Sequence, residues 1–268
     1  MKSPKPHLSK EEKIRDAYDE SAIYYNSRYQ IIQFLKYGIM LPKLIHIPSL
    51  PSVEIKGPIL DVGGGTGLFL EFLDLLSLYW RGEYVKDEKI RKILEFTSYY
   101  IMRITGIKPV SLVHNLMIIC DISFNMLLHA RSLRNDTALR GLVACDCSHL
   151  PFRNKFYLTL IAFTVFQNIK NTESAIYQFF RTIQDLGTVG ISILRKHSNK
   201  LEFVNLLGTY FEQIQPITIE NIIEKLQKSN GQFDKYSPTS ILHELECVED
   251  FFLSAKKPQG KENEIIRI

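Results

Sequence analysis

Pro58-Ile-Leu-Asp61-Val-Gly63-Gly-Gly65-Thr-Gly67-Leu-Phe-Leu70 decides the fold. The apolar pair Ile59 and Leu60 leads into Asp61, glycines then fall at every second position, and an apolar run of helical character follows. This is the pattern of a buried strand, a tight turn and a helix start. Glycines belong in such a turn because it needs backbone angles that a Cβ forbids, and because the backbone must come close to a bulky ligand. The ligand would lie over the helix N-terminus at the carboxyl end of the strand, where open α/β sheets bind cofactors. The spacing is Asp-x-Gly-x-Gly-x-Gly and lacks the G-x-x-G step of the dinucleotide fingerprint, which argues against a nicotinamide oxidoreductase. A carboxylate two residues before the first glycine suits a cationic ligand better than a pyrophosphate. The bland alternative is a structural strand-to-helix turn.

The chain around this turn has 268 residues and 45% hydrophobic content, enough for one α/β domain with an appended or inserted subdomain. A formal charge of +4 tolerates RNA or an acidic partner without requiring either. Cys120, Cys145, Cys147 and Cys247 sit in or beside apolar runs without the spacing of a secreted disulfide framework, so reduced thiols in a cytoplasmic protein are expected. Cys145-x-Cys147 resembles half a metal site, but no second pair completes it. Met1 to Arg15 is basic and polar, unlike a signal peptide, and no run reaches the roughly 18 apolar residues of a membrane helix. A soluble protein without a membrane partner is therefore expected.

Motif by motif, the chain resembles the class I S-adenosylmethionine-dependent methyltransferases, in particular the ubiquinone-biosynthesis (type 11) group. Asp61 and the glycine turn resemble motif I. Tyr18-Asp-Glu-Ser-Ala-Ile-Tyr-Tyr25-Asn26-Ser-Arg-Tyr29 resembles the segment that folds over the cofactor as a lid, with Asn26 where Asp is usual. Asp121-Ile122-Ser-Phe-Asn-Met-Leu127 resembles the end of strand two, whose acid takes the ribose hydroxyls; an N-cap for the helix Phe124 to Leu133 is the parallel structural reading. Asp146-Cys147-Ser-His-Leu-Pro-Phe152 resembles the segment after strand three, whose acid reaches the adenine amino group. The resemblance implies S-adenosyl-L-methionine as cofactor, contacted by Asp61, Gly63, Gly65, Gly67, Asp121, Ile122, Asp146, Cys147, Phe163 and Tyr29. It implies a Rossmann-like α/β fold, with a mostly parallel seven-stranded sheet, helices on both faces and a helical insertion after the first βα unit.

Elsewhere the sequence predicts an N-terminal arm and lid helices over residues 1–56, a methyltransferase domain over 57–256 and a polar, frayed tail over 257–268. Ser9 and Glu12 form a capping-box pattern, Gln30 to Ile47 reads as a helix kinked or broken at Pro42, and Pro48 to Lys56 as a linker. Asp121 comes more than twice as late after the glycines as is usual, so Tyr79 to Asn115 reads as an insertion of one helix or a helical hairpin. Tyr157 to Ile169 fits strand four and Leu186 to Leu194 strand five, followed by the basic run Arg195, Lys196, His197 and Lys200. Ile241 to Cys247 with Phe251 to Ala255 fits a closing antiparallel pair. No Asn-Pro-Pro-Tyr motif follows strand four, which argues against methylation of DNA amines and glutamine amides. No residue stands out as a general base. The expected function is methyl transfer to tRNA, protein or a small molecule, the first two slightly favoured by the basic run, with a small activator subunit as a partner. The alternative is a non-catalytic cofactor-binding scaffold.

Overall fold

The computed structural model describes residues 9–49, 52–114, 116–132, 138–194, 196, 200–227 and 241–260. Its first element is a 35-residue helix, α1 (Lys10–Leu44). The Ser9 hydroxyl accepts from the Glu12 N–H at 3.1 Å while the Glu12 carboxylate accepts from the Ser9 N–H at 2.7 Å, so the capping box forms as the spacing predicts. Pro42 does not break the helix. It falls in the last turn, and the chain leaves the helical conformation at Ile45, three residues on.

The predicted linker instead pairs. β1 (Ile45–Ser49) and β2 (Ser52–Ile55) form an antiparallel pair, with Val53 and Ile55 fully buried. Next come β3 (Ile59–Val62) and, beyond the glycine turn, α2 (Leu68–Trp80). The region expected as an insertion holds one helix, α3 (Glu88–Thr105), capped by the Asp87 carboxylate and closed by left-handed Gly106. It also holds a strand, β4 (Ser111–His114), which joins β2 in parallel and completes a small three-stranded sheet.

The main sheet then assembles from β3, β5 (Met117–Asp121), β6 (Leu139–Ala144), β7 (Tyr157–Phe163), β8 (Ile183–Leu194), β9 (Glu212–Ile217) and β10 (Asp250–Lys256). Its order is β6-β5-β3-β7-β8-β10-β9, and β10 alone among these runs antiparallel to its neighbours. The connecting helices are α4 (Phe124–Ala130), α5 (Thr172–Thr182), α6 (Lys200–Tyr210), α7 (Ile219–Gln227) and α8 (Leu242–Glu246). The expected seven-stranded, mostly parallel α/β architecture is therefore present, with one change of partner. Ile241 to Cys247 is not a strand; residues 242–246 are helical, and β10 pairs with Glu212–Ile217. Edge position explains how β9 accommodates Pro216, which has no N–H to give to a further strand.

Strand residues alternate between two cores, as the period of two requires. Ile59, Ile161 and Phe163 face the core shared with α1, α2 and α3. Leu60, Val62, Leu160 and Ala162 face the one shared with α5 and α6. α3 is no loose attachment: Ile93, Leu94, Phe96, Thr97 and Ile101 are buried, and α3 packs along α1 where Gly38 leaves space for Thr97. Lys257, placed by sequence at the start of a frayed tail, is fully buried. Its ammonium donates to the carbonyls of Phe180 at 2.9 Å and Ile183 at 3.1 Å, supplying partners that the C-terminal end of α5 lacks. Phe96→Ala should cost about 3 to 5 kcal/mol of stability in denaturant unfolding, the range for a deleted core ring. A loss of less than about 1 kcal/mol would mean that α3 lies outside the cooperative core.

Candidate functional site

The glycine turn after β3 is shaped from beneath. A Cβ on Gly64 would land 2.6 Å from the Asp61 carboxyl and 2.7 Å from Ile119, so only glycine lets the turn lie over that acid. Gly65 adopts φ 55° and points its N–H at the Asp121 Oδ2, 2.9 Å away. The other oxygen of Asp121 accepts from the Ser123 N–H at 2.8 Å. Ser123 in turn caps α4 by accepting from Met126 N–H, and its hydroxyl donates to Asp19 of α1 at 2.5 Å. Turn, strand end and helix α1 are thus joined at one carboxylate.

Above them lies a cavity of about 370 Å³ at the carboxyl ends of β3, β5, β6 and β7. This is within the size range of small-molecule sites. Of the residues named from sequence, Gly63, Gly65, Asp121, Ile122, Asp146, Cys147 and Phe163 line it. Gly67 stands behind them as the left-handed N-cap of α2. Asp61 lies under the turn, 3% exposed, and its Oδ2 has no hydrogen-bond partner among the described residues. Tyr29 is not on the wall; its ring packs on Tyr25 at 4.9 Å, and Tyr25 with Tyr18, one and three helical turns earlier, faces the cavity instead. The side that α1 turns to the cavity is therefore shifted from the one expected. Asp146 caps a short turn, its Oδ1 accepting from Ser148 N–H at 2.8 Å.

Burial governs the electrostatics. It pushes Asp61 up from an ordinary 3.8 to about 8, with the nearby Asp121 charge adding to the effect. It pushes Asp121 up to about 6 against the opposing hydrogen bonds from Ser123 and Gly65. Burial raises the Tyr18 hydroxyl and, to about 12, the Cys147 thiol. Cys145 moves down, because the neighbouring Cys120 thiol hydrogen-bonds to it. Two carboxylates held this way beneath a cavity favour a ligand that brings positive charge or hydroxyl donors.

Sequence reading missed Thr164 and Ser174 on the wall, together with a buried ion pair behind it, Lys36 Nζ to Asp250 Oδ2 at 2.7 Å. A lysine within the apolar stretch Phe34 to Leu44 was the available signal. Of the basic run, Lys196 pairs with Glu249 at 3.0 Å and Lys200 lies over the Phe251 ring, while Arg195 and His197 fall outside the described residues. Among the described residues, no group of three or more metal-ligating side chains comes together, and no helix is long and apolar enough to cross a membrane.

No family model and no curated protein sequence matches the chain. Solved structures do. Phosphoethanolamine N-methyltransferase 2 from Haemonchus contortus, in complex with S-adenosyl-L-methionine, superposes with a TM-score of 0.53 at 14% identity, covering 96% of this chain and 61% of its own. The present chain thus spans about three fifths of that enzyme's length. A putative methyltransferase of Haloferax volcanii, in complex with the Trm112 methyltransferase activator, gives 0.51 at 12% identity over 91% of this chain and 96% of that one. The [4+2]-cyclase SpnF gives 0.53 at 11% identity over 96% and 100%. At these identities the likeness is one of fold, and the fold of this chain is the Rossmann-like fold of the class I S-adenosylmethionine-dependent methyltransferases.

Proposed function

We propose that the chain binds S-adenosyl-L-methionine in this cavity and transfers its methyl group to an acceptor. The observation that carries the reading is the Asp121 carboxylate, fixed by Gly65 and Ser123 on the cavity wall at the end of β5. An ionised carboxylate has about four acceptor positions. Backbone N–H groups of the turn and of the strand end take part of that capacity, and the rest is open to the hydroxyls of a ribose. Asp146, with Oδ1 occupied by Ser148 and Oδ2 4.0 Å from His149 Nδ1, can accept from an exocyclic amine, and the Gly63–Gly65 turn allows close approach of a bulky ligand. The fit also accounts for the partnerless Oδ2 of Asp61, which a cationic ligand above the turn would compensate electrostatically.

The cofactor supplies an electrophilic methyl carbon on a sulfonium, so the protein's task is positioning and exclusion of water. Tyr18 and Tyr25 of α1 cover the cavity, with the Tyr18 hydroxyl held by the Asn168 amide at 3.0 Å. Phe163 supplies an apolar wall, itself braced edge-on against Tyr37 at 4.9 Å. An amine or ionised oxygen in the acceptor needs no strong base, and none is assigned. The acceptor is a tRNA, a protein or a small molecule, the first two slightly favoured by the basic run that follows β8. A small activator subunit, of the kind bound to the Haloferax protein, fits as a further partner.

Asp121→Ala should weaken binding of S-adenosylmethionine by about 1 to 3 kcal/mol in titration calorimetry, the loss of charge-assisted hydrogen bonds. Tighter binding of NAD than of the sulfonium would overturn the assignment. Incubation with tritiated cofactor and separate pools of tRNA, protein and metabolites should place label in one pool.

Asp61 gives a pH signature. Its folded value near 8 lies above its ordinary 3.8, so the ligand-free fold holds the proton more tightly than the unfolded chain does. The corresponding stability is fully present below the unfolded value and is lost as pH rises through the folded one. A bound cation favours the ionised form, so affinity should climb as pH approaches 8 and then level, with proton release seen in buffers of differing ionisation enthalpy. Asp61→Asn should abolish the part of both trends that lies between about pH 6 and 8, leaving the lower step that belongs to Asp121. A pH-independent affinity in the native protein would show that Asp61 does not sense the ligand.

A further inference from the structure

Thr164 follows β7 on the cavity wall, and its φ of 57° is one that a β-branched residue rarely holds. Glycine or asparagine is the ordinary occupant of such a position. What holds threonine there comes from distant parts of the chain. Lys36 Nζ of α1 donates to Thr164 Oγ1 at 2.9 Å and pairs with Asp250 Oδ2 of β10 at 2.7 Å. Ser192 of β8 donates its hydroxyl to Asp250 Oδ1 at 3.2 Å and accepts the Thr164 N–H, at 3.1 Å on Oγ and 3.0 Å on its carbonyl. The Gln167 amide closes the turn on the Thr164 carbonyl.

A buried ion pair is a poor way to gain stability, because desolvation offsets the attraction and apolar side chains of similar volume do as well. The Lys36 and Asp250 side chains are 5% and 1% exposed, so that argument applies in full. Backbone strain, in turn, persists only where the surroundings over-determine it, and such places cluster at functional walls. Here both occur together, beside the cavity. The far end of the same segment, Asn168, bonds to Tyr18, so α1 grips residues 164–168 at both ends.

We propose that the Lys36–Asp250 pair is a positioning device. It acts through Thr164, locking it in the left-handed conformation and so fixing the cavity wall at the end of β7. Lys36 and Asp250 are the positioning residues, and Thr164 is the wall residue they hold. This rests on the reading of the cavity as a methyltransferase site.

The test uses the full chain and S-adenosylmethionine carrying ¹³C in its methyl group, observed by NMR when bound. In the native protein one methyl resonance is expected. The double variant Lys36→Met, Asp250→Leu removes both charges of the pair at once; its bound methyl resonance should shift or split. Adding Thr164→Asn, which accepts the left-handed conformation unaided, should restore a single resonance. Thr164→Ala in the native background, with the ion pair intact, should shift the signal too, and decides the matter if the double variant fails to fold. A native-like resonance in Thr164→Ala, or a shift in the double variant that Thr164→Asn leaves untouched, overturns the proposal. Failure of the native protein to bind the labelled cofactor removes the methyltransferase reading, and the proposal with it. Binding with an unmoved resonance removes the positioning role alone.

Discussion

The hydrogen bond from the Gly65 N–H to the Asp121 carboxylate ties the turn after β3 to the end of β5, and the rest of the site hangs from that joint. Through Ser123 the same carboxylate orients the start of α4, and through the Ser123 hydroxyl it engages Asp19 and so the covering half of α1. One buried acid thereby sets the relative placement of three elements that are far apart in sequence. Holding it there has a cost. Asp121 and Asp61 are both driven toward their protonated forms by burial.

The parallel core was legible in the sequence because each strand end carried a local signature. Gly63 to Gly67 announce a turn that other residues cannot make, Asp121 and Asp146 stand where an apolar run stops, and the helix that follows each acid starts with a short polar cap. These are short-range constraints, enforced within a few residues. The edge of the sheet was less legible for the same reason. Residues 212–217 read Glu-Gln-Ile-Gln-Pro-Ile, too polar and too interrupted to declare a strand, and they become one because β10 lies beside them. Residues 241–247 carry more apolar side chains, and 242–246 of them fold as a helix.

What sequence could not supply was pairing at a distance. Lys36 sits in the apolar stretch of α1, where a charge has no local explanation, and its partner Asp250 lies at the start of the last strand. Ser52 and Ser111 meet at 2.7 Å across β2 and β4, so a segment that looked like a linker and one that looked like an insertion build one small sheet. Lys257 finds the carbonyls at the end of α5 only after the chain has crossed the whole sheet. Tyr29 against Tyr25 and Tyr18 is the subtler case. Aromatics three and four apart share a helix side, and which of them faces the ligand depends on a rotation that only the packing of α1 fixes.

α1 itself is two structures on one axis. From Gln33 to Leu44 nearly every side chain is buried, whereas from Lys10 to Tyr29 the helix meets solvent on one side and the cavity on the other. Substitutions along it will therefore sort by address: toward the C-terminal half they will be felt as lost solubility and yield, toward the N-terminal half as altered ligand discrimination in a chain that still folds. The first five turns are thus open to revision while the last three are held by the core.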